Sequence, residues 1–197
     1  MKKSILLICG LIVSMVWVQA QPKIFGHTEG HWQYIYPFAD KSYGLAIEHI
    51  VADDQQSINI YFGRKNGKTD IVYWKENHSA TQAQREVDFV DYNNDGIKDL
   101  LFFVESGARG GNSYYLLYLV DPKKHTLTKV RGFDEIANPS YDQKNKVIVS
   151  YGLAGENYYS LHRINKANKV YQIGQSFKDT NSLDLDAKIR AILKNKP

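Results

Sequence analysis

The sequence predicts an all-β protein, and three kinds of observation support this fold class. Short segments rich in β-branched and aromatic residues recur along the chain, as is typical of strands. In places apolar and polar side chains alternate, most clearly over residues 57–62. Turn signals such as Asn66-Gly67 and Asn138-Pro139 separate these segments. Short strands at regular spacing favour a sandwich, a barrel or a propeller.

Eleven segments carry the strand pattern. They are residues 32–38, 44–51, 57–62, 69–74, 86–90, 99–105, 113–120, 127–130, 146–151, 158–164 and 170–173. A complete propeller needs at least about four blades of four strands each. Eleven segments are fewer than the strands that such a propeller needs. The sequence therefore predicts an incomplete or reduced β-propeller-like arrangement of about eleven short antiparallel strands.

The C-terminal segment has a different pattern, with a helical period. Four apolar side chains fall on one helical face, at Leu185, Ile189, Ile192 and Leu193. Asn181 or Ser182 is predicted to cap the helix, and lysines gather in its last turn. We expect a short amphipathic helix that packs on the sheets.

The first twenty residues have the composition of a secretory signal peptide. Lys2 and Lys3 precede a nearly unbroken apolar run over residues 5–18, and Val18-Gln19-Ala20 resembles a cleavage site. The run is short for a membrane span. We therefore expect a signal peptide over residues 1–20, a single β-rich domain over 21–197, and a periplasmic or extracellular protein without a stable membrane anchor after cleavage.

Composition argues against several classes of function. Without Lys2 and Lys3, 23 basic and 21 acidic side chains remain, so the net charge is small and no nucleic-acid partner is predicted. The single cysteine, Cys9, lies in the signal segment, which leaves the domain without a thiol or a disulfide. No G-x-S-x-G nucleophile motif occurs. We predict a non-enzyme and name no catalytic residue, although a triad assembled from distant positions stays an open alternative.

The most informative motif is a loop that carries oxygen ligands at fixed spacing. Loop positions one, three, five and nine are occupied by Asp91, Asn93, Asp95 and Asp99. Gly96 at position six allows a sharp turn, and the carbonyl of Ile97 at position seven adds a further oxygen. Calcium prefers six to eight oxygen ligands of this kind. The motif therefore predicts a Ca²⁺ site.

This loop differs from an EF-hand. An EF-hand requires a bidentate Glu at position twelve, which here is Phe102. The segments on both sides of the loop also have strand composition rather than helix composition. The motif is therefore expected to connect two strands. The alternative is an ordinary polar hairpin turn without an ion, because Asp, Asn and Gly are common turn residues.

Two glycine-bearing loops are candidate partner-binding elements. The first covers residues 106–114, and its candidate contact residues are Ser106, Gly107, Arg109, Gly110 and Tyr114. Its glycines allow close backbone approach to a partner, and an arginine can pair with a carboxylate. The second covers residues 151–159 and offers Tyr158. The alternatives are a flexible hairpin turn for the first loop and a simple strand residue for Tyr158.

The calcium motif and its strand flanks resemble the loops of integrin-type FG-GAP repeats. A longer pattern runs over residues 87–170: the calcium loop, the first glycine-rich loop, a Tyr-rich strand ending in Val120-Asp121-Pro122, then Asn138-Pro139, then a Gly-Tyr hairpin. This order resembles a family of small secreted bacterial proteins with one FG-GAP-like calcium loop. Some members serve as periplasmic immunity proteins against peptidoglycan-degrading effectors. The family is similar in architecture to invertebrate-type lysozyme inhibitors.

The resemblance implies a calcium-stabilised protein that plugs the cleft of a lysozyme-like peptidoglycan hydrolase with an exposed loop. In such inhibitors the loop carries a Ser-Gly element and a nearby Tyr, and here Ser106, Gly107, Arg109 and Tyr114 are the positions that could fill this role, at a longer spacing. Calcium would lock its hairpin and position the glycine-rich loop that follows. The alternative is a calcium-dependent adhesion or glycan-binding module, in which Trp32, Trp74 and the tyrosines stack on sugars.

Overall fold

A computed structural model describes residues 23–28, 30–52, 55–80, 87–107 and 111–194. The predicted signal peptide lies outside these residues, as do Arg109 and Gly110. The described residues form twelve strands in three four-stranded antiparallel sheets, with one helix near the C-terminus. The all-β class is therefore confirmed.

The three sheets follow one another along the chain. Sheet 1 contains β1 (Trp32–Ile35), β2 (Tyr43–Ala52), β3 (Gln55–Arg64) and β4 (Ile71–Ala80). Sheet 2 contains β5 (Val87–Val90), β6 (Asp99–Ser106), β7 (Ser113–Asp121) and β8 (Thr126–Lys129). Sheet 3 contains β9 (Ser140–Asp142), β10 (Val147–Ala154), β11 (Glu156–Ile164) and β12 (Val170–Lys178). The helix α1 spans Leu185–Lys194, and a short 3-10 turn spans Phe133–Glu135.

Within each sheet the strands pair in sequence order, so each sheet is an up-and-down meander. A four-stranded meander is the unit from which propeller blades are built. The described residues form three such units and no closed propeller. The count of eleven strands missed β9, which is only three residues long and lies just after the Asn138-Pro139 turn.

Sheet 2 lies between the other two sheets and is covered on both faces. One core cluster fills the space between sheets 1 and 2, with Leu45, Ile60, Phe102 and Tyr118 among its fully or almost fully buried members. A second cluster joins sheet 2 to sheet 3 through residues such as Leu117, Phe133 and Ile148. Because both faces of β6 are buried, its apolar run from Leu100 to Val104 does not alternate with polar residues.

The outer faces of sheets 1 and 3 are covered by the two ends of the described chain. Ile24 and Phe25 pack on sheet 1, and their backbone N–H groups donate to the buried carboxylate of Asp70 at 2.8 and 2.9 Å. Ile189 of α1 packs on sheet 3. The predicted helix is confirmed, but its predicted cap is wrong: the side chain of Asp184 accepts the Ala187 N–H at 2.9 Å. Among the described residues no helix is long and apolar enough to span a membrane.

Candidate functional site

The predicted calcium loop connects β5 to β6, as the strand composition of its flanks indicated. Asn94 and Gly96 adopt the left-handed backbone conformation, with φ values of 59° and 86°. Glycine and asparagine tolerate this conformation best. These two residues fold the loop tightly, so that its polar side chains turn towards its own backbone.

Hydrogen bonds inside the loop hold three of the predicted ligand side chains together. The carboxylate of Asp91 accepts the N–H of Asp95 at 3.2 Å and the N–H of Gly96 at 2.9 Å. Asn93 also accepts from the Asp95 N–H, at 3.1 Å, and donates its amide to the Asp95 carboxylate at 2.8 Å. Asp95 accepts the N–H of Ile97 at 2.8 Å. The loop geometry is thus set by the same side chains that the motif assigns to the ion.

Asp99, the fourth predicted side-chain ligand, is fully buried at the start of β6. Its two carboxylate oxygens accept backbone N–H groups of Tyr92 at 3.0 Å and Val120 at 3.2 Å, which ties the loop to β7. Burial, helped by the negative charges of Asp95 and Asp91, raises the pKa of Asp99 to about 7, although the two N–H donors act in the opposite direction. A nearby cation would favour the charged carboxylate.

The donor chemistry of this loop fits a hard cation. The predicted ligands are all oxygens, and an ionised carboxylate that accepts two N–H groups still has free lone pairs. Across the described ranges, no group of three or more His, Cys, Asp or Glu side chains is placed to hold a metal ion. The three carboxylates therefore do not form a site alone, and an ion here requires the Asn93 amide and the Ile97 carbonyl as well.

The first glycine-rich loop connects β6 to β7 and so lies at the opposite end of β6 from the calcium loop. The strand has eight residues, which separates the two loops by about 25 Å at 3.3 Å per residue. The loops are adjacent in sequence but not in space. An ion in the calcium loop cannot contact the glycine-rich loop directly and can act on it only through the β6–β7 ladder.

The described arms of the glycine-rich loop are well ordered by hydrogen bonds. Ser106 pairs with Ser113 across the ladder, and the Gly107 N–H donates to the Asn112 carbonyl at 2.7 Å. A Cβ on Gly107 would lie 3.3 Å from the ring of Tyr114, which shows how closely this tyrosine packs on the loop. Ser106, Gly107 and Tyr114 are therefore together. The predicted contacts Arg109 and Gly110 lie outside the described residues.

Two asparagines anchor this loop to sheet 3. The Asn112 side chain donates to the Leu153 carbonyl at 3.1 Å and accepts the Leu153 N–H at 2.8 Å. Asn138, with a φ of 45°, accepts the Ser113 N–H at 2.8 Å and donates to the carbonyls of Tyr151 at 2.8 Å and Gly111 at 3.1 Å. The sequence reading missed both roles. The Asn138-Pro139 pair had signalled a turn, but nothing in the sequence indicated its distant partners.

These anchors bring the two glycine-bearing loops to the same end of the molecule. The second loop is the tight β10–β11 hairpin around Gly155, which has a φ of 86°. Tyr158 lies on β11 beside it, donates its hydroxyl to Glu156 at 2.7 Å and lies 5.9 Å below the Lys178 ammonium. This hydrogen bond raises the pKa of Tyr158. The predicted partner-binding residues within the described chain thus share one end of the sheets.

A recess of about 230 Å³ opens beside Tyr114, between β4 and sheet 2. Its walls carry acidic and polar side chains, and it is lined by His78, Ser79, Val104, Glu105, Tyr114, Leu116 and Asp134. The end that carries the glycine loops is therefore grooved rather than flat. We refer to residues 106–107, 111–114, 151–153 and 155–158, together with this recess, as the loop end.

Two cavities lie at the opposite end, beside the calcium loop. One cavity of about 410 Å³ lies between the calcium loop and the β7–β8 turn, with Asn93, Asp95 and Lys123 on its walls. A second cavity of about 320 Å³ lies between the calcium loop and sheet 3, with Tyr141, His162 and Arg163 on its walls. Burial lowers the pKa of His162, which favours its neutral form.

Comparisons with known proteins do not identify a relative: no family model, no curated protein and no solved structure matches this chain.

Proposed function

We propose that this chain is a calcium-stabilised, secreted or periplasmic binding protein that inhibits a lysozyme-like peptidoglycan hydrolase through its loop end. The observation that carries the proposal is the anchoring of the glycine-rich loop by Asn112 and Asn138. A loop whose arms are already held in place loses less conformational entropy when it binds, and such loops on rigid scaffolds suit insertion into clefts.

The chemistry of the loop end suits a polar catalytic cleft. Gly107 and Gly111 expose backbone, and Tyr114 and Tyr158 add rigid aromatic surface with polar tips. Arg109 supplies a positive charge that can pair with a catalytic carboxylate of the hydrolase. Tyr114 belongs to β7 and Tyr158 to β11, and the anchors Asn112 and Asn138 lie in the segments just before β7 and β9. Together they give the loop end a fixed shape for one partner.

The inhibition test uses the purified protein against a panel of lysozymes and other peptidoglycan hydrolases, in calcium and in chelator. We expect dose-dependent inhibition of at least one enzyme in calcium. Arg109→Ala and Tyr114→Ala should weaken it, while Tyr171→Ala, on the outer strand β12, serves as the matched surface control. Absence of inhibition across the panel would contradict the proposal and favour a calcium-dependent adhesion or glycan-binding module.

The calcium part of the proposal has its own test, which needs no partner. At a calcium concentration about 100 times Kd, binding to the folded state alone adds about 2.7 kcal/mol to the free energy of unfolding. For a domain of this size that corresponds to a rise in Tm of about 5–10 °C. The measurement is thermal unfolding in calcium and in chelator. An identical Tm in the two conditions would show that the loop is a plain turn.

Variants separate the ligand role of Asp95 from its structural role. Asp95→Ala removes two exposed hydrogen bonds, those that its carboxylate accepts from the Ile97 N–H and from the Asn93 amide, so its metal-free Tm should fall by only a few degrees. Its calcium response should disappear. Asp121→Ala is the matched control, since Asp121 also accepts N–H groups in a turn, those of Lys123 and Lys124, but is not a predicted ligand. That variant should keep the full calcium response.

A further inference from the structure

An aromatic cavity lies at the mouth of the core between sheets 1 and 2, at the end of the molecule that carries the calcium loop. Its volume is about 340 Å³, within the range typical of small-ligand sites. It is lined by Tyr43, Phe62, Tyr73, Trp74, Lys124, His125, Thr126 and Leu127. We call it the aromatic pocket. It shares no lining residue with the loop end, so it is independent of the function proposed above.

A β-bulge in the edge strand β4 builds this pocket. Phe62 pairs with Trp74 and Gly63 pairs with Val72, so Tyr73 is an extra residue without a partner in the ladder. A bulge redirects side chains, and here two successive aromatic residues both reach the ring of Phe62, at centroid distances of 5.5 and 5.6 Å. Regular alternation would have placed them on opposite faces of the sheet.

A glycine makes the bulge possible. A Cβ on Gly63 would lie only 2.4 Å from the carbonyl oxygen of Ile71, closer than any side chain allows. The strand β4 therefore approaches β3 closely at this point because position 63 has no side chain. The pocket therefore depends on two local features, the absence of a side chain at Gly63 and the extra residue Tyr73.

Some of the aromatic rings that line the pocket are only partly buried by the core. Tyr73 is 49% exposed although it is a large ring in the strand interior. Trp74 stacks one face on the buried ring of Tyr118, at 5.4 Å and 8°, and also lines the pocket. Tyr43 stacks on His125 at 4.6 Å and 13°. The pocket therefore combines fixed rings with one exposed ring at its mouth.

Polar groups surround these rings. The lining residues carry the hydroxyls of Tyr43, Tyr73 and Thr126 and the imidazole of His125. The Lys124 ammonium, which pairs with Asp121 at 3.2 Å on the surface, adds a positive charge. A ligand for this pocket needs a flat face of C–H groups for the rings and hydroxyl or amide groups for the rim. A pyranose ring has both features. A purely apolar ligand would leave the rim groups without hydrogen bonds, at a cost.

We propose that the aromatic pocket is a saccharide-binding site in which a pyranose ring packs on Tyr73 and Trp74. The rim residues hydrogen-bond the ring substituents. This site is separate from the loop end, so one molecule can hold a glycan at one end and a protein at the other.

The test measures binding of defined oligosaccharides to the purified protein by calorimetry and by tryptophan fluorescence. The probes are β-1,4-linked oligomers of N-acetylglucosamine with two to six rings, and glucose oligomers of the same linkage. We expect saturable binding to at least one series, with a Kd of about 10 µM to 1 mM, as for a small ligand on an open site. Absence of saturable binding to both series at about 5 mM, well above that range, would overturn the proposal.

Substitutions assign the binding to this pocket. Tyr73→Ala should raise Kd about tenfold, equivalent to 1.4 kcal/mol, whereas Tyr73→Phe keeps the ring and should bind nearly as the parent does. Tyr171→Ala is the matched control, an exposed tyrosine of β12 that does not line the pocket. An unchanged Kd in Tyr73→Ala would exclude this pocket as the site. Hydrolase inhibition by Tyr73→Ala should be unchanged, which separates failure of this proposal from failure of the first.

Discussion

Removal of the Asn138 side chain is the sharpest test of how the loop end is held. This side chain makes three bonds of 2.8–3.1 Å, with the Ser113 N–H and the carbonyls of Tyr151 and Gly111, and a longer one of 3.3 Å to the Asn112 amide oxygen. One intramolecular hydrogen bond contributes about 1 kcal/mol net to the free energy of unfolding, and Asn138 is only partly buried. We therefore expect Asn138→Gly to lower the free energy of unfolding by about 2 kcal/mol.

Alanine at the same position should cost more than glycine. The φ of Asn138 is 45°, in the left-handed region that asparagine and glycine tolerate and alanine resists by about 1 kcal/mol. Asn138→Ala should therefore lose about 3 kcal/mol, or about 6–12 °C in Tm for a domain of this size. We expect stability to rise in the order alanine, glycine, asparagine. The difference between glycine and asparagine then measures the lost hydrogen bonds, and the difference between alanine and glycine measures the backbone strain.

Urea unfolding of the three proteins provides the assay, and hydrogen exchange of the Ser113 and Leu153 amides reports on the loop itself. Asn165→Ala is the control, because Asn165 also accepts backbone N–H groups in a turn, at the other end of sheet 3. It should leave the exchange of both amides unchanged. If Asn138→Gly lowered stability by less than about 0.5 kcal/mol, the anchoring argument would be wrong.

Three further predictions concern the core and the helix. Leu117→Ala, which truncates a fully buried side chain of the middle sheet, should cost about 3 kcal/mol in denaturant unfolding, and a loss below 1 kcal/mol would contradict the packing. The Tyr118 hydroxyl is buried without a hydrogen-bond partner among the described residues. Tyr118→Phe should therefore keep or raise stability. A loss above about 1 kcal/mol would contradict this, because it would show that the hydroxyl bonds the neighbouring carboxylate of Glu76. Hydrogen bonds from Lys144 and Asn145, with Arg190, lower the pKa of Asp186 to about 2, below its unfolded value of about 4. Its contribution is therefore present above pH 4 and lost towards pH 2, so the Tm difference between the parent and Asp186→Asn should disappear over that interval.

The parts of the fold that could be predicted from sequence are those set by local pattern. Strand composition located eleven of the twelve strands, and helical spacing located α1, because burial of one face leaves a periodic trace. The three-residue strand β9 leaves no such trace. The cap at Asp184 was missed because several residues near it, including Asn181 and Ser182, have side chains of the same capping chemistry.

The parts that could not be predicted depend on contacts between distant residues. Asn138 bonds to Gly111 across 27 positions, and Asn112 bonds to Leu153 across 41. The bulge at Tyr73 follows from the approach of β4 to Gly63, which no local pattern indicates. The separation of the calcium loop from the glycine-rich loop, in contrast, follows from the length of β6, a strand that the sequence predicts over residues 99–105.

This separation changes what calcium is expected to do. The bonds that hold the glycine-rich loop come from Asn112 and Asn138 and reach sheet 3, and none involves the calcium loop. Calcium should therefore act through global stability rather than by shaping the loop.

Inhibition measured at rising temperature separates the two modes of action. In chelator it should persist at low temperature and fall only near the metal-free Tm, whereas direct shaping would abolish it at every temperature. A loss of inhibition at about 20 °C below that Tm, where the chain is still folded, would show that the β6–β7 ladder carries a conformational change between the two ends.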